Sequence, residues 1–238
     1  MIKLFFPFYY DPTYILVLIG LAISGLASAY VNSTFNRYSE VHSKLNYNAS
    51  EITRYILDYA NLDNVQIENV RGNLTDHYDP RNKVLRLSDS TNSSTSVAAI
   101  GVAAHEAGHA LQDRDNYAFL RMRSALVPVT RIGQTAAFPI LLIGLLFGPG
   151  TGDLLINLGL ILFATTFLFQ IITLPVEFNA SNRALAILET EQILVGDELE
   201  GARKVLRAAA LTYVAAAIAS FLNVLRLVLL FGGGNRRR

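Results

Sequence analysis

Four long apolar runs interrupt an otherwise mixed pattern of hydrophobic and polar positions. Tyr14–Val31, YILVLIGLAISGLASAYV, holds eighteen residues without a charge, close to the about 20 that a helix needs to cross a bilayer core. It predicts an N-terminal anchor (1–31), since Lys3 followed by aromatics and Asp11 is a poor start for a cleavable signal peptide. Ile132–Phe147, extended back toward Leu126, and Asp153–Pro175 are separated only by GPGTGD, so 126–175 reads as a membrane hairpin. Pro175 ends that run and can begin a new helix, placing 176–204 in a separate helical segment. Val205–Phe231, framed internally by Arg207 and Arg226, is the fourth candidate, and 205–238 closes the chain with a basic tail.

Between the first and second runs, residues 32–125 follow shorter periods. In NASEITRYILDYANLD an apolar series at Ile52, Tyr55, Ile56, Tyr59 and Leu62 has helical spacing, with Ser50 as its cap. VQIENV alternates as a half-buried strand does. LTDHYDPRNKVLRLSD reads as a strand, a turn at Asp79-Pro80-Arg81-Asn82, and a second strand with Val84, Leu85 and Leu87. A helix capped by Ser96 follows. The pattern predicts a mainly α, α+β membrane protein: about four transmembrane helices and a small catalytic part with a short antiparallel sheet.

Composition sharpens this picture. Of 238 residues, 52% are hydrophobic and 16% charged, more apolar than a soluble domain usually is. The net charge of +1 gives no field for a nucleic acid. Without cysteine, thiolate metal sites are excluded, so any metal must be held by His, Asp or Glu. Arg37, Lys44, Arg121, Arg123, Arg131, Arg183, Arg203, Lys204 and Arg207 cluster in segments that share one side, whereas the hairpin turn has no cation. The positive-inside rule makes that side cytosolic; the terminal RRR opposes this for a fully crossing last helix. A multi-pass protein of a prokaryotic plasma membrane is expected.

The chemistry concentrates in AAHEAGHALQD. His105 and His109 stand one helical turn apart, on one face, where two imidazoles can bind one zinc. Glu106 lies beside that face, within reach of a water at the metal, as a hydrolytic general base requires. The small residues Ala103, Ala104, Ala107, Gly108 and Ala110 suit close packing against another helix. A catalytic zinc needs a third protein ligand and an open position. Spacing alone leaves Glu177 in competition with Glu189, Glu191, His77 and His42.

HEAGHALQD followed by PVEFNASNRAL resembles the membrane-bound neutral zinc metallopeptidases of the YugP type and, more distantly, HtpX and the CAAX-prenyl endopeptidases. The resemblance extends over most of the chain and implies a gluzincin: one Zn2+ per chain, His105, His109 and Glu177 as ligands, and Glu106 as base. The distant relatives carry an Asp four residues after the glutamate, where this chain has Ser181; that Asp supports a ligating histidine. Ser181, or Asp113 one turn beyond His109, is the candidate for that support. His77, Tyr78 and Arg183 are candidate oxyanion or substrate contacts, and the strand around Lys83–Ser88 a candidate partner for an extended peptide.

The expected function is a membrane-anchored zinc endopeptidase acting on peptides or membrane proteins at the cytosolic face. An intramembrane site-2-type protease fits less well, because only Val97–Ala104 precedes the motif as an apolar run and the later spans hold no internal aspartate. A zinc-holding adaptor without turnover would need no Glu106.

Overall fold

The computed structural model describes residues 11–147 and 150–231. Lys3, the Gly148-Pro149 part of the hairpin turn and the terminal arginines, each weighed above, lie outside them. Among the described residues the elements are α1 (Tyr14–Ser39), α2 (Ala49–Tyr59), β1 (Gln66–Val70), β2 (His77–Asp79), β3 (Val84–Ser88), α3 (Val97–Arg114), α4 (Ala118–Phe147), α5 (Thr151–Thr190) and α6 (Asp197–Phe231). The mainly α architecture with a small sheet is as expected. The chain forms two compact units. One draws on 11–26, 123–147, 150–172 and 214–231, the other on Ala27–Met122 and Thr173–Tyr213.

In the first unit, helices α1, α4, α5 and α6 are each long and apolar enough to cross a membrane. Their apolar side chains stay uncovered: Leu21, Leu26, Leu146 and Leu154 are all more than 60% exposed. So much outward-facing leucine on long helices is tolerable in lipid and not in water. The helices approach through small residues, as membrane helices do when no hydrophobic force draws them together. A methyl group on Gly133 would lie 2.8 Å from the Leu162 carbonyl oxygen, and one on Gly20 3.2 Å from Ala219. Asp11 and Arg226, both largely buried, pair at 3.0 Å, and the guanidinium lies over the Tyr14 ring.

In the second unit, α2 buries Ile52 and Ile56 of the stripe read for it, with Leu57 beside them, while Tyr55 and Tyr59 stay exposed, and its cap is Asn48, not Ser50. The Asn48 side chain accepts from the Glu51 amide while the Glu51 carboxylate accepts from the Asn48 amide. That reciprocal pair satisfies two amide donors at once. The sheet order is β1-β3-β2, with β2 antiparallel and β1 parallel to β3. It is therefore mixed rather than purely antiparallel. Moreover β3 is the central strand, its both edges filled by neighbours. The Lys83–Ser88 strand thus has no open edge for a peptide.

Ile56, Leu57, Leu85, Leu87, Ile100, Leu188 and Leu194 form one core with the alanine face of α3. Each fully buried large side chain contributes about 1.5–3 kcal/mol. Ser96 caps α3 as expected, accepting from the Ala99 amide. α4 reaches back past Leu126, as the span requires, and begins at Ala118, passing through Pro128 and Pro139. One expectation about helix ends fails: α5, 40 residues in all, runs through Pro175, so no new helix starts there. A proline removes one backbone donor, a loss membrane helices tolerate where neighbours satisfy the freed carbonyl.

Candidate metal centre

Every residue of the site belongs to the second unit. α3 supplies His105 and Glu106 and, one turn on, His109. α5 supplies Glu177, and it reaches the histidines because the two helices nearly touch. A methyl group on Gly108 would lie 2.4 Å from the Ala180 carbonyl oxygen. Only glycine permits that approach.

His105, His109 and Glu177 each offer one ligand atom, and these atoms all lie within 4.8 Å of one another. His105 Nε2 is 3.2 Å and His109 Nε2 3.6 Å from the same Glu177 carboxylate oxygen. Ligands bonded tetrahedrally to zinc at about 2.0–2.1 Å stand about 3.3 Å apart. The donor set therefore fits one zinc ion: two neutral nitrogens and a carboxylate, with one coordination position left open. The rings meet edge to face, centroids 4.7 Å apart, so their Nε2 atoms converge. Glu177 is 2% exposed and set between fully buried Val176 and Ala180, a placement that is costly for a carboxylate unless it is paired.

The outward nitrogens are also held. His105 Nδ1 lies 3.0 Å from the Ser181 hydroxyl, and His109 Nδ1 3.0 Å from Gln112 Oε1. Ser181 thus occupies the supporting place considered for it, whereas Asp113 does not. Asp113 accepts from the Tyr78 hydroxyl at 2.7 Å and pairs with Lys83, tying β2 and its turn to the end of α3. Gln112, fully buried, escaped notice in the sequence. Its signal was its position three residues after His109, on the same helical face.

Glu106 is nearly buried and accepts a hydrogen bond from the Tyr78 amide at 3.0 Å. Burial pushes its carboxyl up to about 7, against the opposing effect of His105 and with the repulsion of Glu177 added. That value suits a proton acceptor working near neutrality.

The remaining candidates stand elsewhere. The His77 ring is exposed beside the Thr75 carbonyl and Arg86. Arg183 donates to Asn179 and pairs with Asp115. The Tyr78 hydroxyl is engaged by Asp113, so the part of Tyr78 at the site is its backbone amide. Of the rivals for third ligand, Glu191 accepts from the Tyr55 hydroxyl, His42 meets Thr95, and Glu189 is exposed.

Two comparisons with known proteins found a match. The family described as "Putative neutral zinc metallopeptidase" matches residues 13–232. The "Putative membrane protease YugP" of Bacillus subtilis (strain 168) is 45% identical over 219 residues, covering 92% of this chain and 96% of that protein. No solved structure matches the chain.

Proposed function

The chain belongs to the neutral zinc metallopeptidase family, and from that premise we propose that it is a membrane-anchored endopeptidase whose site is His105, His109, Glu177 and Glu106. The observation that carries the reading is the buried Glu106 carboxylate beside three converging ligand atoms. Bound zinc would supply Lewis acidity, polarising the scissile carbonyl and acidifying a water.

Each side chain then has one task. His105, His109 and Glu177 hold the ion. Glu106 takes the proton of the attacking water and delivers it to the departing amine nitrogen, so that the carbonyl carbon gains oxygen as its bond to nitrogen breaks. The Tyr78 amide on the outer side of β2 donates to the Glu106 carboxylate and holds the base in place. Substrates are peptides, including segments of membrane proteins.

α3 is not among the helices able to cross a membrane, which favours this reading over an intramembrane protease. The cations around the second unit's segments support a cytosolic site. The deciding test compares the purified zinc-loaded chain with Glu106→Gln on casein. Wild type should cleave it and lose the activity to a chelator, while the variant retains zinc and falls by orders of magnitude. Equal cleavage by both would remove Glu106 from the chemistry; no cleavage by either would favour a zinc-holding adaptor.

A further inference from the structure

We propose that Gln112 is a positioning residue that fixes the tautomer of His109, and that Asn179 and Arg183 fix Gln112 in turn. This rests on the zinc reading above.

The argument follows from donors and acceptors alone. One end of the Gln112 amide lies 2.7 Å from the Val176 backbone carbonyl oxygen. A carbonyl only accepts, so the atom facing it must be the NH2 group. The same NH2 group lies 3.0 Å from Asn179 Oδ1. The orientation of Asn179 is itself set by Arg183, whose Nε–H donates to that Oδ1 at 2.9 Å and which has no acceptor to offer. A flipped Gln112 would press its oxygen against two other oxygens.

The other end of the amide is therefore Oε1, and it lies 3.0 Å from His109 Nδ1. An amide oxygen only accepts, so His109 carries its proton on Nδ1. In the neutral ring Nε2 then holds the lone pair, and Nε2 is the atom that faces Glu177 and His105. That is the tautomer a metal at this position requires.

His105 has no such constraint. Its partner, the Ser181 hydroxyl, can either donate or accept, so it holds the ring without choosing its tautomer. The two ligands are unequal: one is pre-set by a buried amide, the other adjusts. The relay also gives Arg183 a place in the molecule without contact with substrate.

The test measures zinc affinity of the detergent-solubilised full chain by competition with a chromophoric chelator. Gln112→Met keeps the length of the side chain and removes the acceptor; Asn179→Leu, at a partly exposed position, leaves Gln112 in place and removes one of its orienting contacts. Gln112→Met should weaken zinc binding by about 10- to 100-fold, the range seen when a ligating histidine loses its outer partner, with a smaller loss for Asn179→Leu. Melting of the metal-free forms should stay close to wild type. In zinc-loaded wild type, nitrogen-15 spectra of the imidazoles should show His109 protonated at Nδ1, and this signal should exchange faster with water in Gln112→Met.

Wild type binding no zinc would sink the metal reading itself. Stoichiometric zinc in wild type with unchanged affinity in both variants would sink the relay alone, as would a His109 that binds through Nδ1. Should Gln112→Met fail to fold, Asn179→Leu and the wild-type spectrum still decide.

Discussion

Gly108 and the backbone of Ala180 approach so closely that no side chain fits between them. This contact, in the middle of the His105–His109 turn and one residue before Ser181, sets how far Glu177 stands from the two imidazoles. Gly108→Ala should push α5 away by an ångström or more. The expected result is a destabilisation of about 1–3 kcal/mol, typical of overpacking, together with reduced zinc occupancy. Gly101→Ala is the comparison: its new methyl would meet the Ala202 side chain at 3.3 Å, a contact that small shifts relieve. Thermal melts and elemental analysis of both variants check this; equal behaviour would mean the helices can separate at no cost to the site.

Glu177→Ala should remove the carboxylate corner of the site. Zinc content by elemental analysis is expected to fall well below one per chain after dialysis. Glu191→Ala, which releases Tyr55 and Tyr59 away from the site, should stay fully loaded. Full occupancy in Glu177→Ala would move the third ligand to another residue.

The raised Glu106 carboxyl makes a signed prediction for the metal-free protein. Between about pH 4.5, its ordinary value, and about pH 7, the folded state holds this proton and the unfolded state does not. Stability therefore falls as pH rises through that window, by about 3 kcal/mol in all, and is flat above it. Glu106→Gln removes the dependence. The difference in unfolding free energy between variant and wild type should grow from pH 4.5 to 7 in favour of the variant; a difference independent of pH would contradict the burial of an ionisable group there.

Because the chain has no cysteine, a single introduced thiol reports topology cleanly. Asn73→Cys sits in the exposed turn between β1 and β2. With the site in the cytosol, a membrane-impermeant maleimide should label it only after the cells are opened. Labelling of intact cells would place the site outside.

The parts that could be read from the sequence are those that depend on neighbours in the chain. His105, Glu106 and His109 share one helical turn, so their geometry follows from spacing alone. The four apolar helices and the Ser96 cap are local in the same sense. Glu177 is not: nothing in its distance along the chain places it against α3, and it was singled out through the likeness of its surrounding motif. The parallel pairing of β1 with β3 was hidden for the same reason, since strand partners are chosen across the fold. At Asn48 and Ser50 two good caps compete, and the Glu51 that decides between them is three residues from the first only. Pro175 misled because a proline removes one helix hydrogen bond without ending a long helix, and α5 runs straight through it.

His109 and Glu177 are 68 positions apart, and both α4 and the apolar start of α5 lie between them. During synthesis the first two nitrogens of the grip emerge long before the oxygen that completes it. A growing chain can therefore carry its whole signature motif and still lack a complete donor set, which exists only after the intervening hairpin has been made.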